Sequence, residues 1–283
     1  MSYRLRCRDE ICAAGPVINE DLVGRTPTAA WVIDGVSGLT GRGIAGASSS
    51  AVWLATVLDA ALRRELAAPR PDADVAWQSV SSELSRAFSA AGATLDDERV
   101  DCPCACLALS SLVRDRLQIS HIGDCRVIAE RFDGGLHVAA DTRIEPFETS
   151  LLKDWVDRIG GDPDIDPKLA LREEFHAMRG CLNRDGGYWV VHPTIEWLQG
   201  LQRTLLPAFG GQTALLVSDG FYRLVNLFGA FDDRGLLAAA KQHGLKALLK
   251  NLRELEVRHS TAEYPRFKPH DDASACLIEV VAA

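Results

Sequence analysis

Two short segments each place an aspartate where an apolar strand ends. The strand predicted over residues 29–33 leads into Asp34-Gly35, and the strand predicted over residues 214–217 leads through one serine into Asp219-Gly220. Asp-Gly is also typical of a hairpin turn. Neither pair is followed by an obvious partner strand, which weakens the hairpin interpretation and leaves a chemical role open for both aspartates.

Further acidic residues occupy similar positions beside predicted strands. They are Glu20 and Asp21, Asp124, and the pair Asp271-Asp272. If several of them converged, repulsion between like charges would raise their pKa values unless a cation neutralised them. Carboxylate oxygens without clustered histidine or cysteine favour Mg²⁺ or Mn²⁺ over zinc. A two-metal carboxylate site activates water and binds a phosphoryl group. Spacing alone leaves open whether these residues converge.

Strand-like and helix-like patterns are interleaved unevenly along the chain. Strands are predicted over residues 29–33, 104–113, 117–122, 127–132, 136–139, 188–191, 214–217 and 274–281. Helices are predicted over residues 48–66, with Ser48 as N-cap, and over 76–91, 147–159, 236–240 and 245–257. Paired helices between runs of neighbouring strands favour α+β layers over an alternating parallel sheet. No repeat or linker divides the chain, so a single domain over residues 1–283 is expected.

Composition excludes several classes of protein. The 283 residues include 39 acidic and 31 basic side chains, give a net charge of −8, and are 47% apolar. An acidic balance argues against nucleic-acid and anionic-membrane partners, which need a clustered positive surface. The charged start and the lack of an apolar run of about 18 residues argue against a signal peptide and a membrane span. Cys102, Cys104 and Cys106 alternate too closely to bridge one another, so a reducing cytoplasm is expected.

Other motifs point to other kinds of site, but each of them fits its motif poorly. Residues 41–46 fit the dinucleotide fingerprint G-x-G-x-x-G, but the helix that follows leads into another helix instead of a second parallel strand. The alternating cysteines lack the spacing of a zinc site and are predicted to pack in the core. Val32 stands where a haloacid-dehalogenase-like phosphatase needs a second aspartate. His121 and His270 flank the acidic candidates and could carry protons, although packed or surface histidines are commoner.

Five segments, taken in order, resemble the motifs of the protein phosphatase 2C family of metal-dependent serine/threonine phosphatases. Residues 19–21 resemble its early Asn-Glu-Asp, and residues 32–35 its hydrophobic-Asp-Gly element. Residues 120–126 are similar to its Gly-Asp-Ser-Arg turn, with Cys125 in place of serine. Residues 217–221 resemble its Ser/Thr-Asp-Gly motif, and residues 271–274 its closing Asp-Asn/Asp-x-Ser/Thr. Together these motifs cover nearly the whole chain.

The resemblance implies an α+β fold in which a central antiparallel β-sandwich is flanked by helices on both sides, in four αββα layers. It also implies two Mg²⁺ or Mn²⁺ ions. Asp34 would bridge them and Gly35 would supply a backbone carbonyl to one, while Asp219 and Asp271 would complete the protein ligands of the other. Asp34 and Asp219 are therefore the implied catalytic pair.

Three more acidic residues receive roles by the same resemblance. Glu20 and Asp21 would orient metal-bound waters from outside the ligand shell, and Asp124 would belong to a weaker third metal site. A bridging water with a lowered pKa would attack phosphorus in line while the metals neutralise the phosphate oxygens. The implied partner is a phosphorylated protein substrate.

The sequence departs from the family pattern at three positions. Val36 replaces a histidine that directly follows the bridging Asp-Gly in many members. Pro16 replaces an arginine that often holds phosphate, a role that Arg25, Arg42 or an N-terminal arginine could take over. Arg223 stands where some members have an acidic ligand of the third metal.

These departures leave two rival interpretations open. The first is a regulatory module that has the phosphatase architecture and binds a phosphoprotein or another partner but turns over poorly. The second is an unrelated acidic α+β protein. The retained acidic set favours catalysis, whereas Val36 and Pro16 favour the regulatory module.

Overall fold

The computed structural model describes residues 3–39, 44, 46–67, 75–92, 101–160, 162 and 164–283. Arg42 and most of the glycine-rich stretch at 41–46 lie outside these residues. Within the described ranges, no helix is both long enough and apolar enough to cross a membrane.

Two antiparallel sheets of five strands each form the centre of this part of the chain. In pairing order, and numbered along the chain, the first sheet consists of β1 (Tyr3–Ala13), β10 (Ala273–Ala282), β9 (Thr213–Val217), β6 (Arg126–Glu130) and β7 (Leu136–Ala139). The second consists of β2 (Asp21–Thr26), β3 (Ala29–Val36), β4 (Cys104–Val113), β5 (Arg116–Ile122) and β8 (Gln202–Pro207).

Helices flank the two sheets. They are α1 (Ser50–Glu65), α2 (Trp77–Ala90), α3 (Glu145–Ile159), α4 (Pro167–Ala170), α5 (Arg172–Arg179), α6 (Asp219–Asn226), α7 (Asp233–His243) and α8 (Leu245–Arg258). Leu54 of α1 and Leu84 of α2 pack with Trp31 on the second sheet. Phe221 of α6 and Leu252 of α8 pack on the first sheet. The predicted fold class, a sandwich between helical layers, is confirmed.

The alternation of strand side chains explains why three separate cores form. In β4, Cys104 and Cys106 face the core between the two sheets, whereas Leu107 and Leu109 face α1 and α2. Successive strand residues point to opposite faces, so a strand buried on both sides has a continuous apolar sequence. The prediction that these cysteines pack in the core is confirmed, and Cys102 lies in a small adjoining cluster.

The strand predicted over residues 188–191 is wrong. This segment makes only isolated bridges, from Tyr188 to Leu182 and from Val191 to Ala105. Its apolar side chains are buried against neighbouring elements instead of being paired in a ladder. Burial of a short apolar run therefore does not require a strand.

Several boundaries also differ from the prediction. Helix α1 has Ser49, not Ser48, as its N-cap, because the Ser49 hydroxyl accepts a hydrogen bond from the Val52 backbone N–H at 3.1 Å. The sequence analysis predicted neither β1 nor β2, nor the later elements β8 and α4 to α6. Strand β1 lies at the edge of its sheet, and charged side chains on its exposed face interrupt the apolar pattern.

Candidate metal centre

Strand ends from both sheets bring acidic side chains to one end of the sandwich. Asp21 opens β2 and lies directly opposite Asp34 of β3 in the strand register. Asp124 lies in the turn between β5 and β6, and Asp219 follows β9 as the first residue of α6. Because β6 and β9 are paired in the other sheet, Asp124 and Asp219 approach Asp34 from the facing layer.

The four carboxyl groups interact strongly. Burial, reinforced by the charges of Asp21, Asp219 and Asp124, raises the pKa of Asp34 well above its ordinary value. Burial and the charge of Asp219 raise the pKa of Asp124 to about 7. Burial is also the main cause that raises the pKa of Asp21 to about 8. Without a cation the cluster therefore retains protons that isolated carboxyl groups release near pH 4.

This arrangement fits a hard divalent cation. The buried Oδ1 of Asp124 and Oδ2 of Asp21 have no hydrogen-bond partner among the described residues. One oxygen of Asp34, one of Asp124 and the Cys125 thiol all lie within 4.8 Å of one another. Carboxylate oxygens are the ligands that Mg²⁺ and Mn²⁺ prefer. Asp34, Asp124 and Asp219 are therefore the residues that would hold such an ion.

Asp271 has different surroundings. Its Oδ2 accepts a hydrogen bond from the Arg223 guanidinium at 2.6 Å, and its Oδ1 accepts one from the Lys268 ammonium at 2.7 Å. Burial alone would raise the pKa of Asp271, but Arg223 and Lys268 together lower it. Arg223 is itself buried and also pairs with Glu256 at 3.1 Å. Both oxygens of Asp271 are thus already paired with cations of the chain, so a metal would have to compete with them.

The segment before β2 is held against the site by its backbone. The Gly35 N–H donates to the carbonyl of Glu20 at 3.2 Å, and a Cβ at residue 35 would lie 2.6 Å from that carbonyl oxygen. The Glu20 side chain accepts a hydrogen bond from the Ser37 hydroxyl at 2.6 Å, and its backbone N–H donates to Asp272 at 2.8 Å. Glycine at position 35 allows this close approach, which places Glu20 beside the end of β3.

The second Asp-Gly pair also has a packing explanation. A Cβ on Gly220 would lie 1.9 Å from the carbonyl oxygen of Asp272, much closer than atoms can pack. The first turn of α6 therefore rests directly on the loop that precedes β10. This contact fixes the position of Asp219 and explains why a glycine follows it without any hairpin.

Comparisons with known proteins were made on sequence and on structure. No family model matches the sequence, and no curated protein matches it. The serine/threonine phosphatase PstP/Ppp of Mycobacterium tuberculosis matches with a TM-score of 0.58 and 17% identity, over 99% of this chain and 100% of that chain. The catalytic domain of PstP in complex with two manganese ions matches with a TM-score of 0.57 and 19% identity, over 99% and 100% of the two chains.

A third solved structure agrees with these two. It is the PPM Ser-Thr phosphatase MsPP from Mycobacterium smegmatis in complex with cacodylate, with a TM-score of 0.54 and 17% identity, over 100% of this chain and 99% of that chain. The chain has the phosphatase 2C fold. At identities this low the likeness shows the fold alone, so the roles of individual residues rest on the geometry of this chain.

One acidic residue near the candidate centre of this phosphatase 2C fold was missed by the sequence analysis. Glu148 lies in the first turn of α3, where burial and the charges of Asp124 and Asp219 raise its pKa well above the ordinary value. The predicted apolar stripe of this helix begins at the preceding residue, Phe147. An acidic residue in a first helical turn is common, so its position gave no distinct signal.

Cationic side chains were missed as well. The half-buried ammonium of Lys168, on α4, has its pKa lowered by burial and by the nearby charges of Arg179 and Lys268. The charges of Glu20 and, to a lesser degree, Asp166 act in the opposite direction and raise the pKa. Arg179 is buried and donates to the Ser37 carbonyl at 2.8 Å. Lys168 and Arg179 are thus near the segment of Glu20 and Ser37, whereas Lys268 pairs with Asp271.

The two histidine candidates have other partners. His121 is buried on β5, and burial lowers its pKa, although the charge of Asp141 acts in the opposite direction. Nδ1 of His270 lies 3.0 Å from a carboxylate oxygen of Glu256, so its ring contacts the network behind Asp271. Neither contact joins a histidine to Asp34 or Asp219.

Proposed function

We propose that the chain is a divergent member of the phosphatase 2C family that hydrolyses phosphoserine and phosphothreonine in proteins with the help of Mg²⁺ or Mn²⁺. The observation that carries the proposal is the convergence of Asp34, Asp124 and Asp219 at the end of the sandwich where strands of both sheets terminate. Carboxyl groups that raise one another's pKa values are expected where function requires a cation. The phosphatase 2C fold supports the same reaction.

The roles follow from what each group can do. Asp34, Asp219 and Asp124 would bind the cation, with the Gly35 carbonyl as a further candidate ligand. When bound, Mg²⁺ or Mn²⁺ lowers the pKa of water and neutralises charge on phosphoryl oxygens. Asp21, whose pKa burial raises to about 8, can accept or hold a proton next to Asp34 near neutral pH.

The proposed metal complement is two ions, with Asp124 available for a third. The second ion needs the carboxylate of Asp271, which here is paired with Arg223 and Lys268. We therefore propose that the ion at Asp34 and Gly35 binds more tightly than the ion that shares Asp34 with Asp219 and Asp271. Glu20, on the side of Lys168, would orient ordered water.

The cationic side chains of Lys168 and Arg179 are the candidates for phosphate recognition. Pro16 stands where members of the phosphatase 2C family often have an arginine that holds phosphate. Lys168 forms no ion pair with a carboxylate among the described residues. A half-buried ammonium beside two other cations is costly unless an anion approaches it. We propose that Lys168, supported by Arg179, contacts the phosphate group of the substrate.

The proposed setting is a single domain in the cytoplasm, with a phosphorylated protein as partner. The cysteines of the described residues form no disulfide, which supports a reducing compartment. The acidic net charge of −8 supports the absence of nucleic-acid and membrane partners.

The test is Mn²⁺-dependent hydrolysis of an aryl phosphate and of a phosphothreonine peptide. Asp34→Asn and Asp219→Asn should each lower kcat/KM by about 100-fold or more, because each removes a direct ligand. Asp115→Asn, in an exposed turn, is the matched control and should leave the rate unchanged. Hydrolysis that survives both ligand substitutions would refute the assignment of the site.

A second candidate function is a regulatory module that binds a phosphoprotein and turns over poorly. The observation that favours it is the double pairing of Asp271 with Arg223 and Lys268, together with Val36 and Pro16. In that case the phosphopeptide would bind in a calorimetric titration with Mn²⁺ present, and no phosphate would be released. Binding that is accompanied by Mn²⁺-dependent phosphate release would exclude it.

A further inference from the structure

A second group of metal-ligating atoms lies between the edge strand β1 and its neighbour β10. The thiols of Cys7 and Cys276 and one carboxylate oxygen of Glu10 all lie within 4.8 Å of one another. The Cys7 thiol is 3.5 Å from Oε2 of Glu10. Cys276 is completely buried, whereas Cys7 is half-buried and Glu10 reaches solvent. One side of the group is therefore anchored in the core between the sheets, and the other side is open.

A β-bulge brings these three side chains to the same face. In a regular strand, residues 7 and 10 would point to opposite faces, because side chains alternate. The pairing of β1 with β10 shifts between Cys7 and Asp9, so that Cys7 pairs with Ile278 and Glu10 pairs with Cys276. The inserted residue reverses the alternation and turns Glu10 toward Cys276. Bulges that re-aim a side chain in this way are often found at functional positions.

The charges around the group are suited to a divalent cation. Two thiolates and one carboxylate carry three negative charges. The guanidinium of Arg25 donates to Oε2 of Glu10 at 2.8 Å and supplies one positive charge. A divalent cation would supply the remaining two. Arg25 would also orient the Glu10 carboxylate, as partners outside the ligand shell commonly do in metal sites.

We propose that Cys7, Cys276 and Glu10 bind a thiophilic divalent cation of the Zn²⁺ class, with its fourth position left to water. Thiolate sulfur and carboxylate oxygen are both established zinc ligands, and thiolates select zinc over magnesium and manganese. The site is separate from the acidic centre, which offers three carboxylates to a hard cation. Its occupancy would tie the edge strand β1 to the central part of the first sheet.

Cobalt titration tests the proposal directly, because a thiolate bound to Co²⁺ gives a charge-transfer band in the near ultraviolet and carboxylates do not. The probe is Co²⁺ added to the full chain with the Asp34→Asn substitution, in a thiol-free reductant. We expect the band to saturate at one ion per chain and to be bleached by one equivalent of Zn²⁺. Cys7→Ser and Cys276→Ser should each abolish the saturating band, and Glu10→Gln should weaken Co²⁺ binding about tenfold.

Two cysteine variants serve as controls. Cys12 lies on the same strand, but its thiol contacts Asn19 and Ser274, so Cys12→Ser should retain the band. Cys125→Ser should also retain it, because that thiol belongs to the acidic centre. The proposal is overturned if no band forms, if Cys7→Ser retains it, or if Cys125→Ser alone removes it. Should Cys276→Ser fail to fold, Cys7→Ser and Glu10→Gln still decide the question.

Discussion

Replacing Asp21 with asparagine should stabilise the metal-free protein, and the gain should grow with pH. Asp21 is 8% exposed, and its buried Oδ2 has no hydrogen-bond partner in the described part of the chain. Burial is the main cause that raises its pKa from 3.8 to about 8, and the charges of Asp219 and Asp272 add to the shift. Asparagine has nearly the same shape but never has to ionise in this environment.

The sign follows from proton linkage. A carboxyl group whose pKa is higher in the folded state than in the unfolded state binds more protons when folded. Its favourable contribution is complete below pH 3.8 and is lost as the pH rises toward about 8. At about 1.4 kcal/mol per pH unit, wild type loses at most about 4 kcal/mol by pH 7. Because neighbouring acids share the protons, we expect roughly half of that as the gain for Asp21→Asn.

Urea unfolding in the presence of a chelator measures this gain at pH 5.5 and pH 7.5. The difference in unfolding free energy between the variant and wild type should be larger at pH 7.5 by about 1–3 kcal/mol. Asp115→Asn, which alters an exposed carboxylate, should show no such dependence. Saturating Mn²⁺ should reduce this difference in unfolding free energy, because a nearby cation stabilises the Asp21 carboxylate, which only wild type has. A gap that does not change with pH, or a variant less stable at both pH values, would refute the electrostatic argument.

Three shorter predictions concern other parts of the site. Gly220→Ala, whose Cβ would meet the Asp272 carbonyl at 1.9 Å, should destabilise the protein by about 2 kcal/mol in urea unfolding and weaken Mn²⁺ binding, measured by calorimetry. Lys168→Met should raise KM for a phosphopeptide about tenfold, with Mn²⁺ affinity unchanged, because the lost ammonium is the group proposed to contact the phosphate. Lys268→Met frees one oxygen of Asp271 and should tighten the weaker of two Mn²⁺ ions in the same calorimetric titration, whereas exposed Lys246→Met should not.

The sequence predicted the fold well wherever a motif coincides with the end of a buried strand. The apolar runs before Asp34 and Asp219 are strands buried on both faces, which agrees with the continuous apolar composition from which they were predicted. Strand β1 offered no such signal, because its exposed face at the sheet edge carries alternating charged residues. The apolar run at residues 188–191 was wrongly predicted as a strand, because a segment buried between other elements can be as apolar as a strand.

The surroundings of Asp271 illustrate a different limit. Arg223 is 48 residues away in the chain, and only the packing of α6 against the loop before β10 brings its guanidinium to Asp271. Nothing in the local sequence specifies that contact. Lys268 is only three residues from Asp271, but a lysine near an aspartate is more often solvated than paired. Residue types and order therefore predicted the acidic set, whereas tertiary packing determined which acids are left without a cation.

The two sides of the acidic cluster consequently differ in how their charge is balanced. On the side of Asp34, Asp124 and Asp219, no cationic side chain forms an ion pair with these carboxylates in the described residues, and the pKa values of Asp34 and Asp124 rise. On the side of Asp271, two cationic side chains neutralise the carboxylate and lower its pKa. A divalent cation would stabilise the ionised form of the first side at neutral pH, whereas cationic side chains already balance the charge of the second side. Both the enzymatic and the regulatory proposals therefore include an ion at Asp34. The two proposals differ in whether a second ion can compete with Lys268 for Asp271.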